Sequence, residues 1–243
     1  MAGPLDLISL IALVVALVAV LKLRSVLGHR SDEDERRLER IRARDAQANG
    51  GGDVVAIPRR EDAAPAAEPD VSPDVRQASI RAFPNSVPAA TEGLVRIAEL
   101  DPAFDPAEFL GGAGRAYEMI VTAFADGDRK TLKELLSSDV YDGFAAAITE
   151  REKSGQLVDQ QFVGIRKSDV VDADVLKGGT ASVTVRFISE LISALRDANG
   201  TVVEGDPQKI KEVTDIWTFV RDISSERARS NLNWRLDETQ APN

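Results

Sequence analysis

Residues 148–167 read ITEREKSGQLVDQQFVGIRK, and the spacing of apolar residues changes within them. Before Lys153 the apolar positions Val140, Tyr141, Phe144 and Ile148 recur at helical intervals and mark one face of a helix. Gly155 suits the left-handed stop of that helix, and beyond it the apolar period falls to about two, the signature of strands. A chain that is helical up to this point and stranded after it predicts an α+β domain with helices first and an antiparallel sheet second.

Upstream of this switch, Asp105-Pro106-Ala107-Glu108 has the chemistry of a helix start: an N-cap acid, proline at the first position and glutamate at the third. Phe109, Ala113, Ala116, Tyr117, Ile120 and Phe124 then form one apolar stripe. Asp126-Gly127-Asp128 predicts the end of this helix and the cap of a second, in which Leu132, Leu135 and Leu136 face inward. Ser137-Ser138 opens the third.

Downstream, residues 156–176 predict one or two strands, broken near Lys167-Ser168-Asp169, with a tight turn at Lys177-Gly178-Gly179. Residues 181–195 alternate through Val183, Val185 and Phe187 as one long, bent strand. Asn199-Gly200 signals a hairpin, and strands over 209–222 and 232–236 complete the sheet.

Composition excludes several classes of function. The chain of 243 residues has no cysteine, which removes disulfides, thiolate catalysis and cysteine-ligated metals. Its single histidine, His29, lies next to an N-terminal apolar run, so the globular part has no imidazole to serve as base or ligand. No cofactor or metal is expected. The net charge of -10 is uneven. Residues 22–60 hold ten Lys/Arg against seven Asp/Glu, whereas from Glu61 onward twenty stand against thirty-two. A domain this acidic repels phosphate backbones, so no nucleic acid is expected as a partner.

Residues 7–21, LISLIALVVALVAVL, carry no charge. As a helix they span ~22 Å, and with Pro4 and Leu5 before them and Leu23, Val26 and Leu27 after them they approach a hydrocarbon core of ~30 Å. Asp6 precedes the run, and Lys-Leu-Arg-Ser follows it, the reverse of a cleavable signal. We read residues 1–28 as a transmembrane anchor in contact with the lipid bilayer. Lys22, Arg24, Arg30, Arg36, Arg37 and Arg40 follow the run while no Lys or Arg precedes it, so the rest of the chain is expected on the cytoplasmic side. Residues 29–47 form a charged juxtamembrane helix with the pairs Glu33–Arg37 and Asp32–Arg36, read either as a solvated extension of the anchor or as a docking face. Residues 48–90 hold six prolines and the run Gly50-Gly51-Gly52 and read as a disordered linker. In it, Ile80-Arg81-Ala82-Phe83 is an apolar island, either a docking motif or merely less soluble linker. The folded domain then covers residues 91–243.

Within that domain a set of residues resembles a known family. Tyr117-Glu118-x-Ile120-x-x-Ala123-Phe124, Gly127-Asp128, Leu135-Leu136-Ser137, Val140-Tyr141 and Arg151-Glu152 are similar to the first half of its domain. Asp215-x-Trp217-Thr218-Phe219-x-Arg221-Asp222 and Asn233-Trp234-x-Leu236 are similar to the second. The family is the Tim-forty-four-like one, in its bacterial, membrane-anchored form, and the likeness covers roughly residues 101–237. It implies a curved antiparallel sheet holding helices in its concavity, a cone related to nuclear transport factor two, with an apolar pocket between the two layers. The mitochondrial member is a scaffold that brings a seventy-kilodalton heat-shock chaperone to an import channel and touches cardiolipin. The long basic helical region that precedes the domain there has no counterpart here, which leaves chaperone recruitment open.

The aromatic side chains Tyr117, Phe124, Tyr141, Phe144, Trp217, Phe219 and Trp234, together with Phe187, are first of all a core; left hollow, they are a pocket for an acyl chain or a partner's apolar side chain. Asp215 shares a strand face with Trp217 and, if both point inward, needs a partner such as Arg186 or Arg221. Gly111-Gly112-Ala113-Gly114 lacks the flanking strand and Lys-Ser/Thr of a phosphate loop and reads as a place of close helix packing. The sequence therefore predicts no enzyme but an adaptor at a bacterial inner membrane that recruits a protein partner, with translocase or chaperone machinery in view. The alternative is a tethered domain whose pocket holds a lipid or another small ligand.

Overall fold

The structure, a computed structural model, describes residues 73–240. The anchor, the juxtamembrane helix and most of the linker lie outside the described residues. Among the described residues no helix is long and apolar enough to cross a membrane.

Five helices precede the sheet: α1 (Pro73–Arg81), α2 (Pro88–Leu100), α3 (Pro106–Asp126), α4 (Arg129–Leu135) and α5 (Ser138–Lys153). The strands β1 (Leu157–Leu176), β2 (Thr180–Arg196), β3 (Val202–Asp222) and β4 (Arg235–Gln240) form one antiparallel meander in the order β1-β2-β3-β4, with a short α6 (Glu226–Arg229) before the last strand. The α+β order read from the sequence is the observed one.

The linker reading fails over its C-terminal part. Pro73 and Pro88 count as breakers in a sequence, but each is the first residue of a helix, where the missing N–H has no partner to lose. The island at 80–83 is core as well: Ile80 is buried and Phe83 packs against the core. Helix α2 lies so close to β1 that a Cβ on Gly93 would stand 1.7 Å from the carbonyl oxygen of Ala173.

The start of α3 follows its chemistry. The Asp105 carboxylate accepts from the N–H groups of Ala107 and Glu108 at 2.8 and 2.9 Å. Gly127, at φ 74°, ends the helix in the left-handed region, and Asp128 caps α4 through Lys130 and Thr131. The last carbonyls of α3, on Phe124 and Ala125, accept from buried Arg151 at 3.0 and 2.9 Å. Arg129, opening α4, pairs with Glu152 at 2.7 Å. Arg151-Glu152 thus fastens the helices to one another.

Register and burial set the sheet's inner face. Along β2, Ala181, Val183, Val185, Phe187, Ser189 and Leu191 are buried in strict alternation. Opposite them on β3 stand Arg221, Phe219, Trp217 and Asp215, paired with Ala181, Val183, Val185 and Phe187 respectively. Stripe residues Phe109, Ala113, Tyr117 and Ile120 of α3 fill the space above. The predicted break in β1 is a pair of register shifts, at Ile165/Lys167 and Val170/Asp172, in an uninterrupted strand. β3 begins seven residues before the predicted 209, because one β2 residue, Ile192, faces residues 207–210 across a wide bulge. β4 lies later than 232–236, leaving residues 232–234 as a free segment beside the helices.

Candidate functional site

The groove is lined by α3 and the turn before it, by Glu134 and Leu135 of α4, by Phe219 and Arg221 of β3 and by the segment 232–234. Its cavity volume is about 970 Å³. Phe104, Phe109, Trp234 and Phe219 make the apolar wall. Phe109 and Trp234 meet edge to face at 4.6 Å between centroids, Phe104 lies 5.9 Å from Trp234, and Phe219 backs Phe109 at 6.1 Å. Such contacts favour offset and edge-to-face geometry, so the four rings pack as one continuous wall.

Beneath it lies Arg221, its side chain 5% exposed, with its guanidinium 5.1 Å from the Trp234 ring centre and in an ion pair with buried Asp101. Burial pulls the Arg221 pKa below its ordinary value. The pair fixes the turn before α3 to the end of β3, and Trp234 rests on it.

The sequence-predicted pocket residues divide into three groups. Phe219 and Trp234 line the groove. Tyr117 and Trp217 sit in the closed core with Phe187, their centroids 4.5 Å apart. Phe124 and Phe144 meet edge to face at 5.0 Å between α3 and α5, and Tyr141 is partly buried against the core. The residues that build the open site beside Phe219 and Trp234, namely Phe104 and Phe109, were missed. Phe109 read as an ordinary stripe residue, and nothing local distinguishes a stripe residue that ends beside an opening.

Asp215 does face inward with Trp217, but neither predicted arginine is its partner. Tyr117 Oη donates to its Oδ2 at 2.7 Å and meets Ser189 Oγ at 2.8 Å. Arg186 pairs with Asp169 at 2.8 Å and Arg221 with Asp101. Burial raises the Asp215 pKa, and the Tyr117 hydrogen bond only partly offsets this. Burial, then the Asp215 charge, pushes the Tyr117 pKa up as well. The three polar groups tie α3 to β2 and β3 inside the core and do not border the groove.

The glycine run does not act as one packing surface. Gly114 faces β1, where a Cβ would lie 3.4 Å from Ile165 Cδ1. Gly111 and Gly112 face the groove, and a Cβ on either would meet only the Arg115 guanidinium, at 3.7 and 3.9 Å.

The domain is thus a layer of helices on an antiparallel meander, with an aromatic groove beside the segment before its last strand. The Tim44-like domain model matches residues 90–241, and the protein belongs to that family. It is 26% identical over 152 residues to the human mitochondrial import inner membrane translocase subunit TIM44, covering 62% of this chain and 33% of that protein. To the probable subunit tin-44 of Caenorhabditis elegans it is 27% identical over 150 residues, 61% of this chain and 35% of that one. To TIM44-1 of Arabidopsis thaliana it is 26% identical over 140 residues, 57% and 29% respectively. The chain thus matches about a third of the length of these curated relatives. Among solved structures, the intermembrane space region of chloroplast protein ARC6 covers 58% of this chain and 98% of its own, at 14% identity and a TM-score of 0.39, a likeness too loose to inform either fold or function.

Proposed function

We propose that the protein is a membrane-anchored adaptor. Residues 1–28 hold it in a bacterial inner membrane with the domain on the cytoplasmic side, and the groove gathers a protein partner there, translocase or chaperone machinery being the class in view. The observation that carries this reading is the half-open groove in which half-buried Trp234, seated on buried Phe104 and Phe109, stands beside exposed Met119 and Leu232, since an aromatic side chain packed among apolar neighbours at a notch is what a protein interface anchors on. Membership of the Tim44-like domain family supports the direction, because its curated relatives are named as subunits of an inner-membrane translocase. A catalytic role for Asp215 gains no support, since its carboxylate is engaged by Tyr117 inside the core.

A photo-reactive residue at Leu232, on the groove's exposed rim, tests the adaptor reading in native membranes. The expected result is one dominant protein adduct that is absent when the probe stands at Val203 instead. Equal adduct patterns at the two positions would remove the basis for the adaptor.

A second reading rests on size: about 970 Å³ lies at the upper end of the range of small-ligand sites, roughly 300–1,000 Å³. A lipid in the groove would remain on the detergent-extracted full chain and appear near one per protein by native mass spectrometry. Its absence there removes this alternative.

A further inference from the structure

The connections between the strands differ in length, and one is out of proportion. Residues 177–179 link β1 to β2 and residues 197–201 link β2 to β3, but residues 223–234 link β3 to β4, which are antiparallel neighbours as well. Neighbours of this kind need only about two to five residues. The excess includes α6 and supplies the groove with Leu232, Asn233 and Trp234.

The two ends of this connection are fixed. Ile223 is 2% exposed, and its N–H donates to the carbonyl of Gly179 at 2.8 Å. Leu236 is fully buried and pairs with Phe219 in the sheet. Between them no residue from Ser224 to Arg235 is buried. The main-chain hydrogen bonds of α6 and its end stay inside the segment, from Arg229 to Ser225, from Ser230 to Glu226 and from Asn231 to Ala228. Among the described residues a single hydrogen bond ties it to the helices, from Arg229 Nη1 to the carbonyl of Leu100 at 3.2 Å. Of its apolar side chains only Trp234 packs against the core, with its ring on Phe109, Phe104 and the Arg221 guanidinium. A segment with so few buried contacts, held between two firm ends, opens locally without unfolding what lies beneath it.

We propose that residues 224–234 are a hinged strap, latched by Trp234, that lifts to open the groove to the adaptor's partner. Lifting takes one wall from the groove, vacates the seat of the indole on Phe104 and Phe109, and admits a segment wider than the closed form can hold. Arg229 is the second catch, and it lets go with the loss of one exposed hydrogen bond. This rests on the groove being the docking site of the adaptor.

The absence of native cysteine allows the test in the purified full chain, with no partner present. Ala113 lines the groove and Ala123 lies further along the same helix away from it, and each is 5% exposed. Labelling of Ala113→Cys by a maleimide is expected to rise about threefold when Arg229→Ala is added, as the loss of one exposed hydrogen bond allows. Adding Trp234→Ala instead is expected to raise it at least about tenfold. Neither Arg229 nor Trp234 is buried, so both variants keep the core, and labelling of Ala123→Cys should stay unchanged. In the wild-type chain, trypsin is expected to cut residues 73–240 first after Arg227 or Arg229. No response of Ala113→Cys to Arg229→Ala, an equal rise at Ala123→Cys, or a first cut elsewhere in residues 73–240 would overturn the strap. The Leu232 photo-adduct separates the two levels. If the adduct forms while the labelling does not respond, the strap falls alone; if the labelling responds and no adduct forms, the adaptor reading falls and the hinge remains.

Discussion

Asp215 shows what one buried carboxylate does to the molecule. In the fold it keeps its proton above the pH at which an unfolded aspartate, with a pKa of ~3.9, releases it. Between that value and its raised folded pKa the folded state binds more protons than the unfolded state, so stability falls as pH rises. The contribution is complete below the unfolded pKa and gone above the folded one. Asp215→Asn, which can still accept from Tyr117, is therefore expected to flatten that fall, seen as a gap between wild type and variant that changes from pH 4 upward in urea titrations. Parallel curves would show that folding does not shift the Asp215 pKa. At Arg221 the sign of the effect is simpler. Arg221→Met leaves the Asp101 carboxylate buried without its cation and is expected to cost about 3–5 kcal/mol by chemical denaturation. Trp234 emission should shift with it, since the indole rests on the guanidinium.

At the scale of elements, two glycines of similar appearance separate by their surroundings. Gly93 is required by contact: α2 meets the β1 backbone there, and Gly93→Ala must push the two apart. A loss of at least about 1–3 kcal/mol is expected, read as a lower urea midpoint. Gly111 has open space, and Gly111→Ala is expected to stabilise α3 by roughly 0.5–1 kcal/mol while filling the notch of the groove. A variant that is more stable yet yields less of the Leu232 adduct would show the glycine to be kept for binding. Caps and turns were legible because their chemistry is local: Asp105-Pro106, Gly127-Asp128 and the hairpin at Asn199-Gly200 act on N–H and carbonyl groups within a few residues. Helices α1 and α2 were not legible, because proline has two opposite meanings, breaker and first residue, and only the packing of Ile80 and Leu94 decides between them.

For the whole molecule, charge and hydropathy divide the chain into a greasy beginning and an acidic domain. If the apolar run spans the bilayer, the protein stays with vesicles washed at alkaline pH. Val15→Arg, which places at the centre of the run a charge costing about 2.5–3.5 kcal/mol, is expected to release a large fraction. Release of the wild-type chain would mean that something other than residues 1–28 brings it to the membrane.

The class of fold was present in the sequence because periodicity is a property of neighbours: 3.6 before Gly155 and two after it can be counted without knowing what touches what. Burial of Asp215 beside Trp217 was legible for the same reason, since strand alternation is local. Its partner was not. Tyr117 lies 98 residues away, and only the docking of α3 across the sheet brings its hydroxyl to the carboxylate. The groove is likewise a tertiary fact. Phe109 reads in the sequence as a stripe residue and Trp234 as either core or pocket, and it was the late start of β4, leaving residues 232–234 beside α3, that set the two side by side in the wall of an opening. Sequence set which residues are apolar and how often they recur; the pairing of distant elements decided which of them face each other, and which face outward.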